Sequence, residues 1–299
     1  MITGIMAGHV KSSGTLLLDL YPGASIALSS SRKLRSAYSG ACLRARRSSD
    51  NSEQDIGFSG GAVDSASLLS FVGSDSAYLV TLYDQSGNGR NATQSTTTKQ
   101  PRLVDAGTLE TVGGVLAPYY NGTSSAMSTA AFSPATADKV AVFFTVRVIS
   151  ATVGIIFETS ANFNSNYGTL LAVASDPLTG AMSLGRHGDA FASSGVVSES
   201  AARSVPATLV VAGSFDLSGI THDTGTPIFR VNGSDVTRAV AGVTNSGGGS
   251  FGSHALYLGA RGEASLYAQL YLPELIMYPD RTNESITGID DSMTSHYGA

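Results

Sequence analysis

From residue 77 onward the chain keeps returning to one local pattern. A short apolar or alternating run, rich in Val, Thr, Phe and Tyr, is closed by Gly, Ser, Asn or Asp. Residues 77–83 (AYLVTLY), 140–149 (VAVFFTVRVI), 154–158, 207–215 (ATLVVAGSF) and 228–231 have this form, and 255–258 and 266–278 repeat it near the C-terminus. Runs of this kind are strands bounded by turns. Their spacing of roughly 10–15 residues, with Gly-rich punctuation such as SGGGS at 246–250, predicts a β-sandwich and not alternating βα units. Helical signals are few: 31–38 (SRKLRSAY), 63–72 (VDSASLLSFV), and 282–297, where Thr282 stands at a cap position. With no internal repeat and no Pro-rich or charged linker, residues 15–299 read as a single domain preceded by an N-terminal arm at 1–14. The arm lacks the apolar stretch of a secretory signal.

Composition removes several classes of function. The chain has 299 residues and is 42% apolar, enough for a real core. A net charge of -5 argues against nucleic acid and anionic membrane as partners. No apolar run is long enough to span a bilayer. The single cysteine, Cys42, excludes an intrachain disulfide and any Cys-based zinc site. The five histidines have no metal-ligand spacing, so no metal and no cofactor are expected. Neither G-x-S-x-G nor a phosphate loop is present.

Two stretches are distinctive: SRKLRSAYSG at 31–40 continuing through LRARRSSD at 43–50 to QDIGF at 54–58, and LYDQSGNGRNATQ at 82–94. Together they resemble the N-terminal half of the catalytic domain of fungal and bacterial α-L-arabinofuranosidase B. They look still more like related modules in bacteriophage and prophage structural proteins. The resemblance covers about residues 15–105. Further on, YNGTS at 120–124, FRVNG at 229–233, LYLG at 256–259 and LPELIMY at 272–278 look like marks of concanavalin A-like, laminin-G-like domains. The implied fold is all-β, a jelly-roll sandwich of two antiparallel sheets with a few short helices.

A glycosidase needs two facing carboxylates. Glu158, Asp189, Asp216, Glu263 and Glu274 are the carboxylates in strand-adjacent positions, and Glu263 and Glu274 are the catalytic candidates. Where the resemblance implies a Gly-Gly-Asp-Asn loop before the last strands, this chain has Arg261-Gly262-Glu263-Ala264. The family's pocket Trp and vicinal Cys pair have no counterpart in a chain with no Trp and one Cys. The departures favour lost catalysis, although activity stays open. Glu274 also reads as a structural acceptor for loop N–H groups. In Asp84-Gln85-Ser86-Gly87-Asn88-Gly89 the short polar side chains read as a turn staple.

The loop Asn162, Asn164, Asn166 and Tyr167 has the amide-plus-aromatic composition of a carbohydrate-binding site. Tyr119, Tyr120, Tyr257 and Tyr267 are further stacking candidates. The basic residues between Arg32 and Arg47 suit either an anionic partner or internal pairing with Asp50, Glu53 and Asp55. The sequence therefore reads first as a bacteriophage virion protein, a decoration or tail-fibre subunit made in the bacterial cytoplasm. Its arm would contact other virion proteins, it would assemble as a homo-oligomer such as a trimer, and its lectin-like domain would take a host-surface glycan. The other reading is a glycoside hydrolase of arabinofuranosidase type.

Overall fold

The computed structural model describes residues 15–134, 138–166, 168–174, 182–187, 194–199, 203–216, 228–241, 250–281 and 283–299. The arm at 1–14, Tyr167 and Asp189 lie outside them. The described chain is all-β with three α-helices, as the strand pattern predicts.

One sheet runs, all antiparallel, in the order Ile228–Val231, Ala207–Asp216, Lys139–Val148, Gln269–Tyr278, Ile26–Ser29. The facing layer continues antiparallel from Ile155–Glu158 through Thr169–Val173, Ser183–His187 and Ser194–Glu199 to Arg238–Ala241. Through the short strands Tyr257–Leu258, Met127–Ser128 and Ala92–Thr93 this layer reaches Ala77–Leu82, Leu43–Arg47 and Glu53–Ile56. The main core fills the space between the layers, where Phe144 meets Phe157 edge-on at 5.5 Å.

Lys139–Val148 shows why residues 140–144 are apolar without a break. Val140, Val142, Phe144, Val146 and Val148 join the inter-sheet core, while Ala141 and Phe143 join a second core. Ile286, Ile289, Met293 and Tyr297 of the C-terminal helix Asn283–Tyr297 complete that second core. A strand buried on both faces cannot alternate. In Gln269–Tyr278 the inward set changes from Leu270 and Leu272 to Leu275 and Met277. The register against Lys139–Val148 shifts at that point, and the extra residue of the bulge flips the faces.

That bulge sends Glu274 under the C-terminal helix. Its carboxylate accepts from Arg32 Nη2 at 2.7 Å and Nε at 2.9 Å, from Ser29 Oγ at 3.0 Å and from Tyr297 Oη at 3.0 Å. The donors are side chains and not the loop N–H groups expected for it. Burial pushes the Glu274 carboxyl up, but Arg32 and its bonds outweigh this, and the net direction is down. His296, 3.1 Å from Ser31 Oγ, is lowered to about 4, chiefly by burial and then by Arg32.

Below the ordinary histidine value of about 6.5, the unfolded chain takes up a proton that the folded one refuses. This contribution is complete above that value and is lost as pH falls toward about 4. Denaturation midpoints should therefore drop between pH 7 and pH 5, and less steeply in His296→Asn. Parallel slopes for the two proteins would overturn this.

The segment 31–38 is not helical, contrary to its helix-like sequence spacing. Leu34 N–H donates to Gln85 Oε1 at 2.7 Å, and Lys33 N–H donates to the Gly61 carbonyl at 2.7 Å. These tertiary acceptors replace the helical ladder. The other two helical signals appear as Ser65–Val72, capped by Asp64 accepting from Ser67 N–H at 3.0 Å, and as Asn283–Tyr297.

Candidate functional site

Glu263 sits in a tight turn that begins at Gly259. Arg261 N–H donates to the Ser265 carbonyl at 2.8 Å and Ser265 N–H returns to the Arg261 carbonyl at 3.2 Å. Within this ladder Gly262 has φ 56° and Glu263 has φ 55°. A left-handed glutamate is uncommon and is held only where its surroundings over-determine it. Here Lys99 Nζ donates to the Glu263 carbonyl at 2.9 Å and Tyr267 Oη donates to the same oxygen at 2.6 Å. Gln94 Nε2 donates to Glu263 Oε2 at 3.0 Å. Oε1 has no protein donor among the described residues, and the side chain is partly exposed. The carboxylate is thus fixed in position with one oxygen available to a ligand.

Beneath this turn lies the fully buried Glu158. Its Oε2 accepts from Arg261 Nε at 2.9 Å, and its Oε1 accepts from Ser160 Oγ and Phe163 N–H. Burial raises the Glu158 carboxyl above the usual range despite Arg261. Both of its oxygens are occupied by protein donors. It anchors the turn and the loop at 160–163.

Glu274 is a different case from Glu263. It is fully buried beneath the C-terminal helix, with both oxygens held by Arg32, Ser29 and Tyr297. The structure does not bring the two catalytic candidates together through any shared partner among the described residues.

Asp84 is buried, and each of its oxygens accepts two bonds: Oδ1 from Ala27 N–H and Ser86 N–H, Oδ2 from Ser86 Oγ and Arg90 N–H, all between 2.8 and 2.9 Å. Gln85 donates to the Arg32 carbonyl at 3.0 Å, and Asn88 Nδ2 donates to the Ala24 and Ser25 carbonyls at 3.0 Å each. Gly87 and Gly89 take φ 96° and 71°. A Cβ on Gly87 would meet Arg35 Nη1 at 2.4 Å. Asp84-Gln85-Ser86-Gly87-Asn88-Gly89 therefore ties residues 24–34 to the sandwich.

The Asn162 loop is closed on itself. Asn162 Oδ1 accepts from Asn164 N–H at 3.0 Å and its carbonyl accepts from Asn166 N–H at 2.9 Å. Tyr120 is buried, whereas Tyr267 belongs to the Glu263 turn.

Half of the six-residue basic cluster is paired internally: Arg32 with Glu274, Arg44 with Asp55, and Arg47 with Asp50. Of the other three, Arg46 is the buried one, and sequence reasoning gave it no separate role. It lines a cleft of about 500 Å³ with Ser48, Tyr78, Thr97, Gln100 and Tyr119. Gln94 and Lys99 were also missed, because nothing in the sequence joins residues 94–99 to residue 263. No group of three His, Cys, Asp or Glu among the described residues could hold a metal ion.

Residues 20–125 match the family model described as the catalytic domain of α-L-arabinofuranosidase B. A probable α-L-arabinofuranosidase B of Aspergillus flavus and the α-L-arabinofuranosidase B of Aspergillus oryzae are each 41% identical over 69 residues. That stretch is 22% of this chain and 14% of either relative's length.

Among solved structures, a mutant GH54 α-L-arabinofuranosidase soaked with 4-nitrophenyl α-L-arabinofuranoside superposes with a TM-score of 0.63 at 14% identity. An arabinofuranosidase complexed with arabinofuranosyl-α-1,2-xylobiose gives 0.60 at 15% identity. Each superposition covers 92% of this chain and 63% of the other, and shows a shared fold.

These matches overturn the virion reading. The relatives named above are arabinofuranosidases, and none of them shows a phage, capsid or tail-fibre setting. The virion localisation falls with it. Surface simplicity and a charge-poor composition do not distinguish a particle subunit from a glycosidase sandwich, since fold and function separate readily. What the comparisons show is a sandwich with the fold of GH54 arabinofuranosidases, whose first third matches the arabinofuranosidase B catalytic model.

Proposed function

We propose that this chain is a glycoside hydrolase of arabinofuranosidase type, which cleaves terminal α-L-arabinofuranosyl groups with Glu263 as one of its two reacting carboxylates. One observation carries the reading. Gln94 and Lys99, both inside the segment that matches the arabinofuranosidase model, grip the left-handed turn that presents Glu263. The likeness and the candidate carboxylate are thus parts of one constellation. Such a carboxylate must keep an oxygen available to the glycosidic oxygen, the anomeric carbon or a water. Glu263 Oε1 meets that need, and the amide of Gln94 fixes the orientation of the group. With no Trp in the chain, tyrosines such as Tyr267 would supply the aromatic wall against the sugar.

The test is release of 4-nitrophenol from 4-nitrophenyl α-L-arabinofuranoside by the whole chain, beside Glu263→Gln. Turnover by the wild type should fall by about 100-fold or more in the variant, the scale on which a proton-transferring or nucleophilic carboxylate acts. The variant should melt within a few degrees of the wild type. No turnover by the wild type, or equal turnover by both proteins, would overturn the proposal.

A further inference from the structure

We infer that the cleft beside Arg46 is a binding site for a carboxylate-bearing sugar, a uronic acid residue. The inference does not rest on the hydrolase reading and concerns a different group of side chains.

The strongest observation is a buried cation without a counter-charge. Arg46 is 7% exposed, yet its guanidinium touches only neutral oxygens. These are Gln100 Oε1 at 2.7 Å, Asn51 Oδ1 at 2.8 Å and the Thr97 carbonyl at 3.5 Å. No carboxylate lies within ion-pair distance of it among the described residues. Glu53 is its cross-strand neighbour, but the Glu53 carboxylate lies toward Arg44, at 4.0 Å. By contrast, Arg32, Arg102, Arg230 and Arg261, all largely buried, each bond a carboxylate. A desolvated positive charge is unfavourable unless an anion joins it. Three of the five guanidinium protons are occupied, which leaves two donors, the number a carboxylate accepts side by side.

The surroundings define the rest of the ligand. The guanidinium lies over the Tyr78 ring at 5.0 Å, which holds its plane fixed. The cleft is about 500 Å³, inside the range of small-ligand sites. Its wall carries the hydroxyls of Ser48, Thr97 and Thr98. Thr97 and Thr98 are exposed, and their hydroxyls have no protein partner among the described residues. Arg102 also lines the cleft but is already paired with Glu110 and Asp105, so one unpaired positive charge, three hydroxyls and two tyrosines at the wall suit a pyranose ring bearing one carboxylate. A bare inorganic anion would leave most of this wall without a partner.

The experiment is calorimetric titration of the whole protein with trigalacturonate, and with galactotriose as its neutral counterpart. Inorganic phosphate serves as the anion without a sugar. Trigalacturonate should bind at least about tenfold more tightly than either, a difference that the charge-assisted pair can supply. Arg46→Gln should weaken it by about tenfold or more.

Because Arg46 also has structural bonds, Thr97→Glu provides an independent variant. Thr97 is exposed, so the fold should survive, and the new carboxylate would occupy the charge that the uronate needs. Equal binding of trigalacturonate and galactotriose would overturn the inference. So would phosphate binding as tight as trigalacturonate, or undiminished uronate binding in Thr97→Glu. None of these readings depends on whether arabinofuranosides are cleaved, so failure here is distinct from failure of the hydrolase proposal.

Discussion

Replacing Glu274 with leucine is expected to destabilise the protein by about 4 kcal/mol, because breaking one side of a buried ion pair leaves the other charge uncompensated. Arg32 would remain in the interior with both of its Glu274 bonds gone, of 2.7 and 2.9 Å. Ser29 and Tyr297 would each lose an acceptor as well, and only their contacts with Ser31 would remain to take up these hydroxyls. Against a typical total stability of about 5–15 kcal/mol this is severe.

The double variant Arg32→Met with Glu274→Leu removes the stranded charge and should recover a substantial part of the loss. Urea denaturation of the wild type, the single and the double variant decides it. A single variant within about 1 kcal/mol of wild type would show that the pair does not hold the helix to the sheet. A double variant no better than the single would show that the loss is one of packing and not of charge.

The same pair shows what the sequence makes visible and what it hides. The strands were legible because each apolar run had to be buried somewhere, and residues 228–231 coincide with the strand Ile228–Val231. The helical spacing of residues 63–72 is local too, and it coincides with the helix Ser65–Val72. Arg32 and Glu274 are 242 residues apart and meet only because Ile26–Ser29 pairs with Gln269–Tyr278.

The misread helix at 31–38 failed for the same reason. Its acceptors are Gln85 and Gly61, which periodicity cannot anticipate. Glu263 could be singled out from the loop that carries it, whereas its partners Gln94 and Lys99 could not. The virion reading failed on another count: residues near 15–105 fitted two families at once, and no physical property of those residues chooses between them.

Gly259→Ala is the second large effect, and it ties the fold to the candidate carboxylate. Gly259 has φ 80°, so an alanine there takes a left-handed backbone at a penalty of about 1–2 kcal/mol. Its Cβ would also stand 2.2 Å from Tyr120 Cδ1 and 2.7 Å from Cε1. Tyr120 is fully buried in the main core and cannot swing aside without displacing its neighbours. Overpacking of this kind adds about 1–3 kcal/mol, for a total of roughly 2–5 kcal/mol.

Gly114→Ala separates the two contributions. Gly114 has the same φ of 80° but nothing within 4 Å of the added carbon, so it should lose only the backbone part. Relief of the clash must move either the Tyr120 ring or the turn, because Gly259 N–H bonds the Ile156 carbonyl at 2.9 Å and its carbonyl accepts from Ala268 N–H at 2.9 Å. A moved turn displaces Glu263 from Gln94 and Lys99. Gly259→Ala should therefore lose arabinofuranoside turnover even at temperatures where it is fully folded, whereas Gly114→Ala should keep it. Two variants equally stable by thermal denaturation would show that the sandwich yields at Tyr120. Full turnover in a folded Gly259→Ala would show that the geometry of this turn is not what positions the reacting carboxylate.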